Sequence, residues 1–379
     1  MRTRTIKMTT FTKKSKKTVV VGLSGGVDSS VAAKLLLEQG YNVIGLFMHN
    51  WEEADDSGAC SAATDWQDAQ AVAGKLGVPC YSLNFSKEYM ERVFSYFLHE
   101  YKLGRTPNPD VLCNREIKFG PFSEYAKKLD ADYIATGHYC GIKHFNDMQS
   151  DTHLIRAVDT TKDQTYFLNQ VRTNQLSNVL FPLANLQKHE VRQIAEKENL
   201  VTARKKDSTG ICFIGERNFR EFLKTYLPAM QGDIVDKTGK ILGKHDGLMY
   251  YTLGQRKGFG LGGVSGEGNN RWYVVEKNLD KNWLVVSNGE GEELFSTELK
   301  ASNINFIGDF DYSKPYRATA KCRYSQSDEA CTVTHIKDNL GNVSLNANIV
   351  FDTPQRAITA GQFVALYNSS RCLGGGVIE

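Results

Sequence analysis

Val19-Val20-Val21-Gly22-Leu23-Ser24-Gly25-Gly26-Val27-Asp28-Ser29-Ser30 carries the strongest structural signal in the chain. An apolar β-branched run, typical of a buried strand, enters a Ser-Gly-Gly turn, and residues 31–39 have the spacing of a helix that ends before Gly40. The first amides of a helix lack intrahelical acceptors and the helix dipole is positive there, so the turn favours phosphate binding. The alternative is an ordinary corner in which glycine only permits tight geometry. The turn is not a Walker loop, because no Gly-Lys-Ser/Thr closes it.

The chain up to about residue 140 repeats this alternation of strands and helices. Further strands are predicted at 41–48, 80–85 and 131–138. Helices are predicted at 65–76, from a cap at Ser86 through Leu98, and at 121–129, with a Pro- and Asn-rich loop at 105–115. This order predicts an α/β fold with a doubly wound parallel sheet, whose ligands bind at the carboxyl ends of the strands. Ser24, Met48 and Gly137 lie near such ends.

The 379 residues exceed what one hydrophobic core usually organises, which predicts more than one domain. Residues 165–227 have helical spacing, and strands with glycine turns follow at 232–242, 247–253, 272–277, 283–287, 316–324, 330–336, 343–351 and 362–367. We therefore expect a small β-rich central domain and a C-terminal β-barrel. The predicted division is a basic tail at 1–17, a catalytic α/β domain with a helical extension at 18–220, the central domain at 221–298 and the barrel at 299–379.

Composition excludes some classes of protein and leaves others open. No stretch approaches the roughly 18 apolar residues of a membrane span, and no secretory signal is visible, so a cytoplasmic protein without a membrane partner is expected. The first 17 residues carry seven Lys or Arg and no acid, which favours a disordered arm. The net charge of +3 is too small to establish a nucleic-acid partner.

Two of the eight cysteines stand apart from the rest. Cys113 lies in the polar loop near Arg115, and Cys212 lies downstream of the basic pair Lys205-Lys206. Positive neighbours favour the thiolate, which is the reactive form. The alternative for both is a small buried hydrophobic residue, and this interpretation is retained for Cys60, Cys80, Cys140, Cys322, Cys331 and Cys372. No Cys-x-x-Cys pair occurs, so no structural zinc site and no other metal ligand is predicted.

Seven motifs occur in an order that resembles one known family. They are SGGVDSS at 24–30, LFMHNW at 46–51, GRTPNPDVLCN at 104–114, ATGHY at 135–139, KDQTYFL at 162–168, GICFIGERNF at 210–219 and YTLGQR at 251–256. The first is similar to the loop of the N-type ATP pyrophosphatases, which split ATP between the α and β phosphates. Together, with Ala360-Gly361-Gln362 near the end, the motifs resemble the tRNA-specific 2-thiouridylase family over nearly the whole chain from about residue 18.

The resemblance implies sulfur insertion at C2 of the wobble uridine, position 34, in a tRNA anticodon. ATP would adenylate the C2 oxygen, and Mg²⁺ would neutralise phosphate charge. The residue matching Cys212 carries a persulfide, Cys113 attacks it and leaves a Cys113–Cys212 disulfide, and Asp110 matches the family's acid/base residue. The implied partners are the tRNA anticodon stem-loop and a persulfide-donating sulfur carrier or cysteine desulfurase.

The remaining site residues follow from the same motifs. Those expected to contact ATP are Gly22, Leu23, Ser24, Gly25, Gly26, Val27, Asp28, Ser29, Met48 and Gly137. Those expected to surround the target base are Asn108, Pro109 and Asp110, and those expected to contact tRNA elsewhere are His138, Lys162, Asp163, Gln164, Arg323, Tyr324 and Gln362. The alternatives are a turn cap for Asp110, core packing for Met48, a capped strand end for His138 and a solvated face for Arg323.

Two other functions remain open at this stage. A small-molecule adenylating ligase with the same ATP loop would need no cysteine pair, so Cys113 and Cys212 argue against it. A non-enzymatic RNA-binding protein that uses the barrel would need no intact SGGVDSS, and this chain keeps it.

Overall fold

The computed structural model describes residues 16–51, 61–144, 152–207, 219–261, 271–337 and 340–379. The α-helices are α1 Val27–Glu38, α2 Ser61–Leu76, α3 Ser86–Tyr89, α4 Ser95–Lys102, α5 Pro109–Cys113, α6 Pro121–Lys128, α7 Thr173–Leu176, α8 Lys188–Lys197 and α9 Phe219–Tyr226. Met90–Phe94 and Asn114–Lys118 are π-helical, and Thr165–Leu168, Leu248–Tyr250 and Glu292–Leu294 are 3₁₀ turns.

The strands form three sheets. They are β1 Thr18–Gly22, β2 Asn42–His49, β3 Cys80–Asn84, β4 Tyr133–Ala135, β5 Cys140–His144, β6 Thr152–Arg156, β7 Val179–Leu180, β8 Gly232–Val235, β9 Ile241–His245, β10 Trp272–Asn278, β11 Trp283–Asn288, β12 Phe295–Phe306, β13 Tyr316–Lys321, β14 Glu329–Lys337, β15 Val343–Arg356, β16 Phe363–Asn368 and β17 Arg371–Ile378. In the described part of the chain no helix is both long and apolar enough to cross a membrane.

The first sheet is parallel, in the order β3-β2-β1-β4-β7, with β1 at its centre. Val19 and Val21 pack with α1 and α2 on one face, whereas Val20 packs with Phe122 of α6 on the other. All three valines are fully buried, as expected for a strand covered on both faces. The predicted doubly wound parallel sheet is therefore confirmed.

Several local predictions are wrong. The single strand predicted at 232–242 is a hairpin of β8 and β9. Ser86 is the first residue of its helix rather than the cap, which is Phe85. The expected loop at 105–115 turns helical at Pro109, because Asn108 caps that helix and proline is tolerated at its first position. Residues 247–253 form a 3₁₀ turn at Leu248–Tyr250 instead of a strand.

The second half contains the small β domain and the barrel that the sequence predicts. The central sheet has the order β10-β11-β8-β9. The barrel has the order β12-β15-β14-β13-β16-β17, and the pairing of β12 with β17 closes it. Its interior is filled by a separate cluster of small and aliphatic side chains that includes Val333, Ile349 and Leu366.

The hairpin β5–β6 joins the α/β part to the barrel. Cys372 and Arg371 of β17 pair with Leu154 and Ile155 of β6, so the hairpin extends the barrel sheet. One core cluster also contains side chains of the α/β part, the central sheet and the barrel, for example Phe122, Leu284 and Phe363. The three parts are therefore packed against one another through a shared core.

Candidate active site

The Ser-Gly-Gly turn lies at the carboxyl end of β1, directly before α1. Gly26 is the N-cap of α1, and no described side chain caps the helix. The backbone N–H of Ser24 donates to Ser29 Oγ at 3.1 Å, and Ser29 Oγ donates to Gly26 O at 3.1 Å. The turn is thus braced by the hydroxyl of Ser29, while the first amides of α1 can receive an anion.

Two glycines are required by close approaches around this turn. Gly25 has φ +72°, and a Cβ there would collide with the backbone oxygen of Asp65 in α2. A Cβ on Gly137 would lie 2.7 Å from the amide nitrogen of Ser29 and 2.8 Å from the carbonyl carbon of Asp28. Gly137, which follows β4, is therefore pressed against the start of α1. The structure brings together these predicted ATP-binding residues.

Met48 lies at the carboxyl end of the neighbouring strand β2. Its methyl group would be 3.8 Å from a Cβ placed on Gly22, and its side chain is half-buried against the main core. It therefore borders the turn and also fills the core, so both interpretations of Met48 are compatible with its position.

Asp28 is held by two partners that the sequence analysis did not identify. Lys188 Nζ lies 2.7 Å from Oδ1 and 2.8 Å from Oδ2 of Asp28. The hydroxyl of Tyr139 donates to Asp28 Oδ1 at 2.8 Å, and burial together with Asp28 raises the pKa of that phenol. Asp28 is consequently fixed at the mouth of the turn by a cation and a phenol.

The same lysine also binds a second carboxylate. Asp207 Oδ1 lies 2.9 Å from Lys188 Nζ, and Asp207 further pairs with Lys162 at 2.9 Å and Arg192 at 2.7 Å. Burial opposes ionisation, but the hydrogen bonds from Lys188 and Lys162 lower the pKa of Asp207 to about 2. One ion-pair network thus joins Asp28, at the Ser-Gly-Gly turn, to Lys162, a residue predicted to contact tRNA.

The segment 104–118 carries the predicted target-base residues. Asn108 Oδ1 accepts the backbone N–H of Asp110 at 3.2 Å, so Asn108 is the cap and Asp110 lies in the first turn of α5. Burial raises the pKa of Asp110, while the charge of Lys118 opposes this. A carboxyl group with a raised pKa suits proton transfer better than an exposed one.

Cys113 ends α5 and is only 2% exposed. Arg115, expected to be its positive neighbour, directs Nε to Glu116 at 2.6 Å and Nη1 to Gln170 at 3.1 Å. Cys212 lies outside the described residues, five positions after Asp207. The burial of Cys113 also fits the alternative of a small core residue, as does that of Cys140, Cys322, Cys331 and Cys372. Cys80 is half-buried, and Cys60 lies outside the described residues.

The loop that enters α5 is clamped by the other two domains. Gln362 Nε2 of the barrel donates to Thr106 O at 2.6 Å, and Thr106 N donates to Ala360 O at 2.9 Å. A Cβ on Gly361, where φ is +87°, would lie 2.9 Å from Arg105 Cβ. The hydroxyl of Thr106 also lies 3.4 Å from that of Thr252 in the central domain. Gln362 therefore contacts the loop at 104–108 that leads into α5.

Arg323 and Tyr324 occupy different environments. Arg323 Nη2 donates to Leu253 O at 3.1 Å, Ala357 O at 2.8 Å and Thr359 Oγ1 at 2.8 Å. The guanidinium of Arg323 therefore joins the central domain to the barrel and does not lie on a solvated face. The ring of Tyr324 lies 4.5 Å from that of Phe167.

Three of the predicted tRNA residues hold the α/β part together. Asp163 is buried, and its carboxylate accepts the amide of Ala157 and the hydroxyl of Thr165. Gln164 Oε1 accepts the amide of Tyr139 at 2.9 Å. His138 is 9% exposed, and burial lowers its pKa well below the ordinary value.

His138 also contacts a hydroxyl at the end of β4, because its Nδ1 lies 2.7 Å from Thr136 Oγ1. This geometry fits the capped strand end that the sequence left as an alternative. A direct contact between His138 and RNA stays a prediction.

Lys188, Tyr139 and Asp207 are functional candidates that sequence reasoning missed. Tyr139 and Lys188 reach Asp28 from 111 and 160 positions away. Tyr139 is the last residue of the ATGHY motif at 135–139, and this motif is its only signal in the sequence. Among the described residues no group of three or more His, Cys, Asp or Glu could hold a metal ion.

Comparison with protein families matches nearly the whole chain in three pieces. A model described as the tRNA methyl transferase HUP domain matches residues 17–216. One described as the tRNA methyl transferase PRC-barrel domain matches 220–288, and one described as the aminomethyltransferase beta-barrel domain matches 296–378.

Curated relatives resemble the chain over almost their full length. The tRNA-specific 2-thiouridylase MnmA of Streptococcus uberis is 55% identical over 366 residues, covering 96% of both chains. The protein of the same name from Lactiplantibacillus plantarum is 53% identical, with 97% of both chains covered. That from Pseudomonas fluorescens is 54% identical, with 96% of this chain and 95% of the relative covered.

Proposed function

This chain belongs to the tRNA-specific 2-thiouridylase family, and on that basis we propose that it inserts sulfur at C2 of the wobble uridine of its tRNA substrates. It is an ATP-dependent tRNA sulfurtransferase. The observation that carries this assignment is identity above half over 96% of the chain to a 2-thiouridylase. The "methyl transferase" of the family descriptions is not the activity for which these relatives are named.

The first step is adenylation of the uridine. The C2 oxygen attacks the α-phosphate of ATP, which makes this oxygen a good leaving group and releases pyrophosphate. The amides at the start of α1 and the nearby Lys188 supply positive potential for the phosphates. Gly137 keeps the loop after β4 pressed against this helix start.

We include Mg²⁺ in the proposal as an ion that binds together with the phosphates of ATP. Mg²⁺ usually binds one or two carboxylates together with substrate phosphates rather than a full protein cage. Asp28 fits that role, because its carboxylate lies at the start of α1 where the phosphates are expected. When bound, the ion would neutralise phosphate charge.

The second step transfers sulfur. The terminal sulfur of a persulfide on Cys212 attacks C2, and the AMP group leaves with the former C2 oxygen. Cys113 attacks the sulfur of Cys212, the S–S bond of the persulfide breaks, and a Cys113–Cys212 disulfide remains for a reductant to open. Asp110 beside the base accepts the N3 proton of the uridine as the C2 oxygen attacks, and returns it when the C2=S group forms. The support for these roles is the motif match and the position of Asp110 and Cys113 on one helix clamped by all three domains.

The sulfur must be delivered by another molecule. We include in the proposal a persulfide-donating carrier protein or cysteine desulfurase that loads Cys212. We also place the reaction in the cytoplasm, where thiols stay reduced. The five described cysteines other than Cys113 are free thiols.

The experiment that tests the function is nucleoside mass spectrometry of tRNA from cells with and without this protein. We expect 2-thiouridine derivatives to disappear without it and to return with the wild-type gene but not with Cys113→Ser or Cys212→Ser. Cys80→Ala, a change at a half-buried cysteine in β3, is the matched control and should restore thiolation. Unchanged thiouridine in the deletion strain would contradict the function.

A further inference from the structure

A cavity of about 380 Å³ lies between the α/β part and the barrel, outside every site described above. Its polar and aromatic lining includes Arg115, Arg172, Asn303, Asn305, Phe306 and Tyr312. Arg115 follows Cys113 by two residues, which is about half a helical turn, so the two side chains leave the helix on opposite sides. We call this cavity the rear groove.

The only charged side chains among the described residues that line the rear groove are two arginines. Arg172 is exposed and forms no ion pair with any described residue. Arg115 binds Glu116 through Nε and Gln170 through Nη1. None of the described residues that line the groove is acidic. The surroundings therefore favour an anion, and a planar guanidinium suits phosphate in particular.

An irregularity in β12 presents amide groups to the same groove. The pairing of β12 with β17 shifts register between Ser302 and Asn305, and Asn303 adopts a left-handed φ of 52°. Asn305 Nδ2 donates to Asn169 O and Val171 O, both at 3.0 Å, which fixes the bulge to the α/β part. The side-chain amide of Asn303 makes no hydrogen bond to a described residue. Bulges commonly redirect side chains toward ligands.

Aromatic rings form another wall of the groove. The rings of Phe306 and Tyr312 are stacked, with centroids 4.4 Å apart and planes inclined by 7°. Both side chains are half-buried, so part of each remains accessible. Proteins bind unpaired nucleotides with positive groups for the phosphate, amides for the base edge and aromatic rings for stacking. The rear groove contains all three kinds of group.

We propose that the rear groove binds one unpaired nucleotide of the RNA substrate, other than the reacting uridine. Its phosphate lies between Arg115 and Arg172, its base contacts the ring of Tyr312, and Asn303 hydrogen-bonds a base edge or the ribose. This inference rests on the proposed function for the identity of the RNA. It adds a contact on the side of α5 that faces away from Cys113.

The test measures binding of unmodified substrate tRNA to the full-length protein at several salt concentrations. Arg172→Gln should weaken binding about three- to tenfold near 0.1 M salt and lower the salt slope by about 0.7–0.9, the value of one lost phosphate contact. Lys300→Gln removes the same charge from an exposed position of β12 that does not line the groove, and should bind within twofold of wild type. An Arg172→Gln variant that matches the control in affinity and slope would overturn the proposal.

A second pair of variants tests the aromatic wall. Tyr312→Phe keeps the ring and should bind tRNA like wild type, whereas Tyr312→Ala should bind at least fivefold more weakly. Thermal unfolding of each variant separates this effect from loss of the fold. Equal binding by the two Tyr312 variants would overturn the stacking contact.

A titration with uridine monophosphate tests whether the rear groove binds a nucleotide of the tRNA or a free nucleotide. If Arg172→Gln loses affinity for the free nucleotide while tRNA binding is unchanged, the groove serves a small molecule and the RNA assignment is wrong. Normal tRNA binding and normal thiolation by the Arg172 and Tyr312 variants would contradict the rear-groove proposal and leave the proposed function intact. A wild-type protein that binds no tRNA contradicts the proposed function as well.

Discussion

Lys188 Nζ contacts both carboxylate oxygens of Asp28, at 2.7 and 2.8 Å, although the two residues are 160 positions apart. Lys188 is the first residue of α8, and its side chain is only 14% exposed. It also contacts Asp207 at 2.9 Å, so one cation is shared by two carboxylates. Without this cation Asp207 keeps Lys162 and Arg192, whereas Asp28 keeps only the Tyr139 hydroxyl among its described side-chain partners outside the turn. A carboxylate with no cation beside it would then lie at the proposed phosphate site.

The first prediction concerns Lys188→Ala. We expect the tRNA-dependent exchange of labelled pyrophosphate into ATP to fall about a hundredfold to a thousandfold, because a preorganised positive group is lost where phosphate charge shifts. Lys197→Ala, at an exposed position of the same helix, should retain the wild-type rate. Exchange within twofold of wild type in Lys188→Ala would remove this residue from the adenylation step.

The second prediction concerns the pH dependence of Asp110. Burial raises the pKa of this carboxyl group, with Lys118 opposing. If Asp110 accepts a proton during catalysis, kcat/KM must rise with pH through that raised pKa, above the ordinary carboxyl value of 3.8. Asp110→Asn should flatten this limb of the profile and lower kcat about a hundredfold or more. An unchanged profile would assign Asp110 a structural role only.

The raised pKa of Asp110 also determines how the free energy of unfolding depends on pH. Because the pKa of Asp110 is raised in the folded state, its contribution is fully present below the pKa of the unfolded chain and is lost as pH rises through the folded-state value. Asp110→Asn should therefore have a larger free energy of unfolding than wild type at neutral pH, with a smaller difference in mild acid. Asp130→Asn, an exposed aspartate at φ 52°, serves as the control in chemical denaturation.

The third prediction tests the contact between the barrel and the loop at 104–108 that leads into α5. Gln362→Ala removes the hydrogen bond from Nε2 to Thr106 O, a contact worth about 1 kcal/mol. We expect kcat/KM for tRNA to fall about fivefold while ATP binding stays the same, because the Ser-Gly-Gly turn that we propose binds ATP lies elsewhere. Gln231→Ala, at an exposed position of the central domain, should have no effect. A fall in ATP affinity for Gln362→Ala would contradict this division of roles.

The fourth prediction concerns the closure of the barrel. Gly374 has φ +120°, and a Cβ there would collide with the backbone oxygen of Asn305 on β12. Gly374→Ala should lower the free energy of unfolding by at least about 1–3 kcal/mol, because both strain and a backbone collision result. Gly74→Ala in α2 meets no atom within 4 Å and should be neutral or stabilising. Equal denaturation midpoints for the two variants would show that β17 tolerates a side chain at this position.

The residues of β1 predicted the α/β fold because burial on both faces requires an uninterrupted apolar run, and Val19–Val21 supply it. β17 could not be predicted in the same way, because Gly374-Gly375-Gly376 has the composition of a turn. These glycines occur in a strand because Asn305, Val364 and Ser302 approach the backbone closely. The hairpin β5–β6 was missed as well, since it is completed by pairing with β17.

In the candidate site, too, residues with a local sequence signal were predicted and residues positioned by long-range packing were not. Local motifs located Asp28, Asp110 and Cys113, because their neighbours in the sequence form the turn and helix that carry them. Lys188 has no such local signal, because its partner is brought to it by the packing of α8 against α1. The division at 220 and 298 and the role of Cys212 stay predictions.

The central claim is that the C2 oxygen of the uridine is activated by AMP and leaves with it. The most direct test uses tRNA that carries ¹⁸O at C2 of the target uridine, with wild-type enzyme, ATP and a persulfide donor. We predict that AMP gains one ¹⁸O for each thiouridine formed and that pyrophosphate gains none. Unlabelled AMP together with labelled water or labelled pyrophosphate would contradict the account.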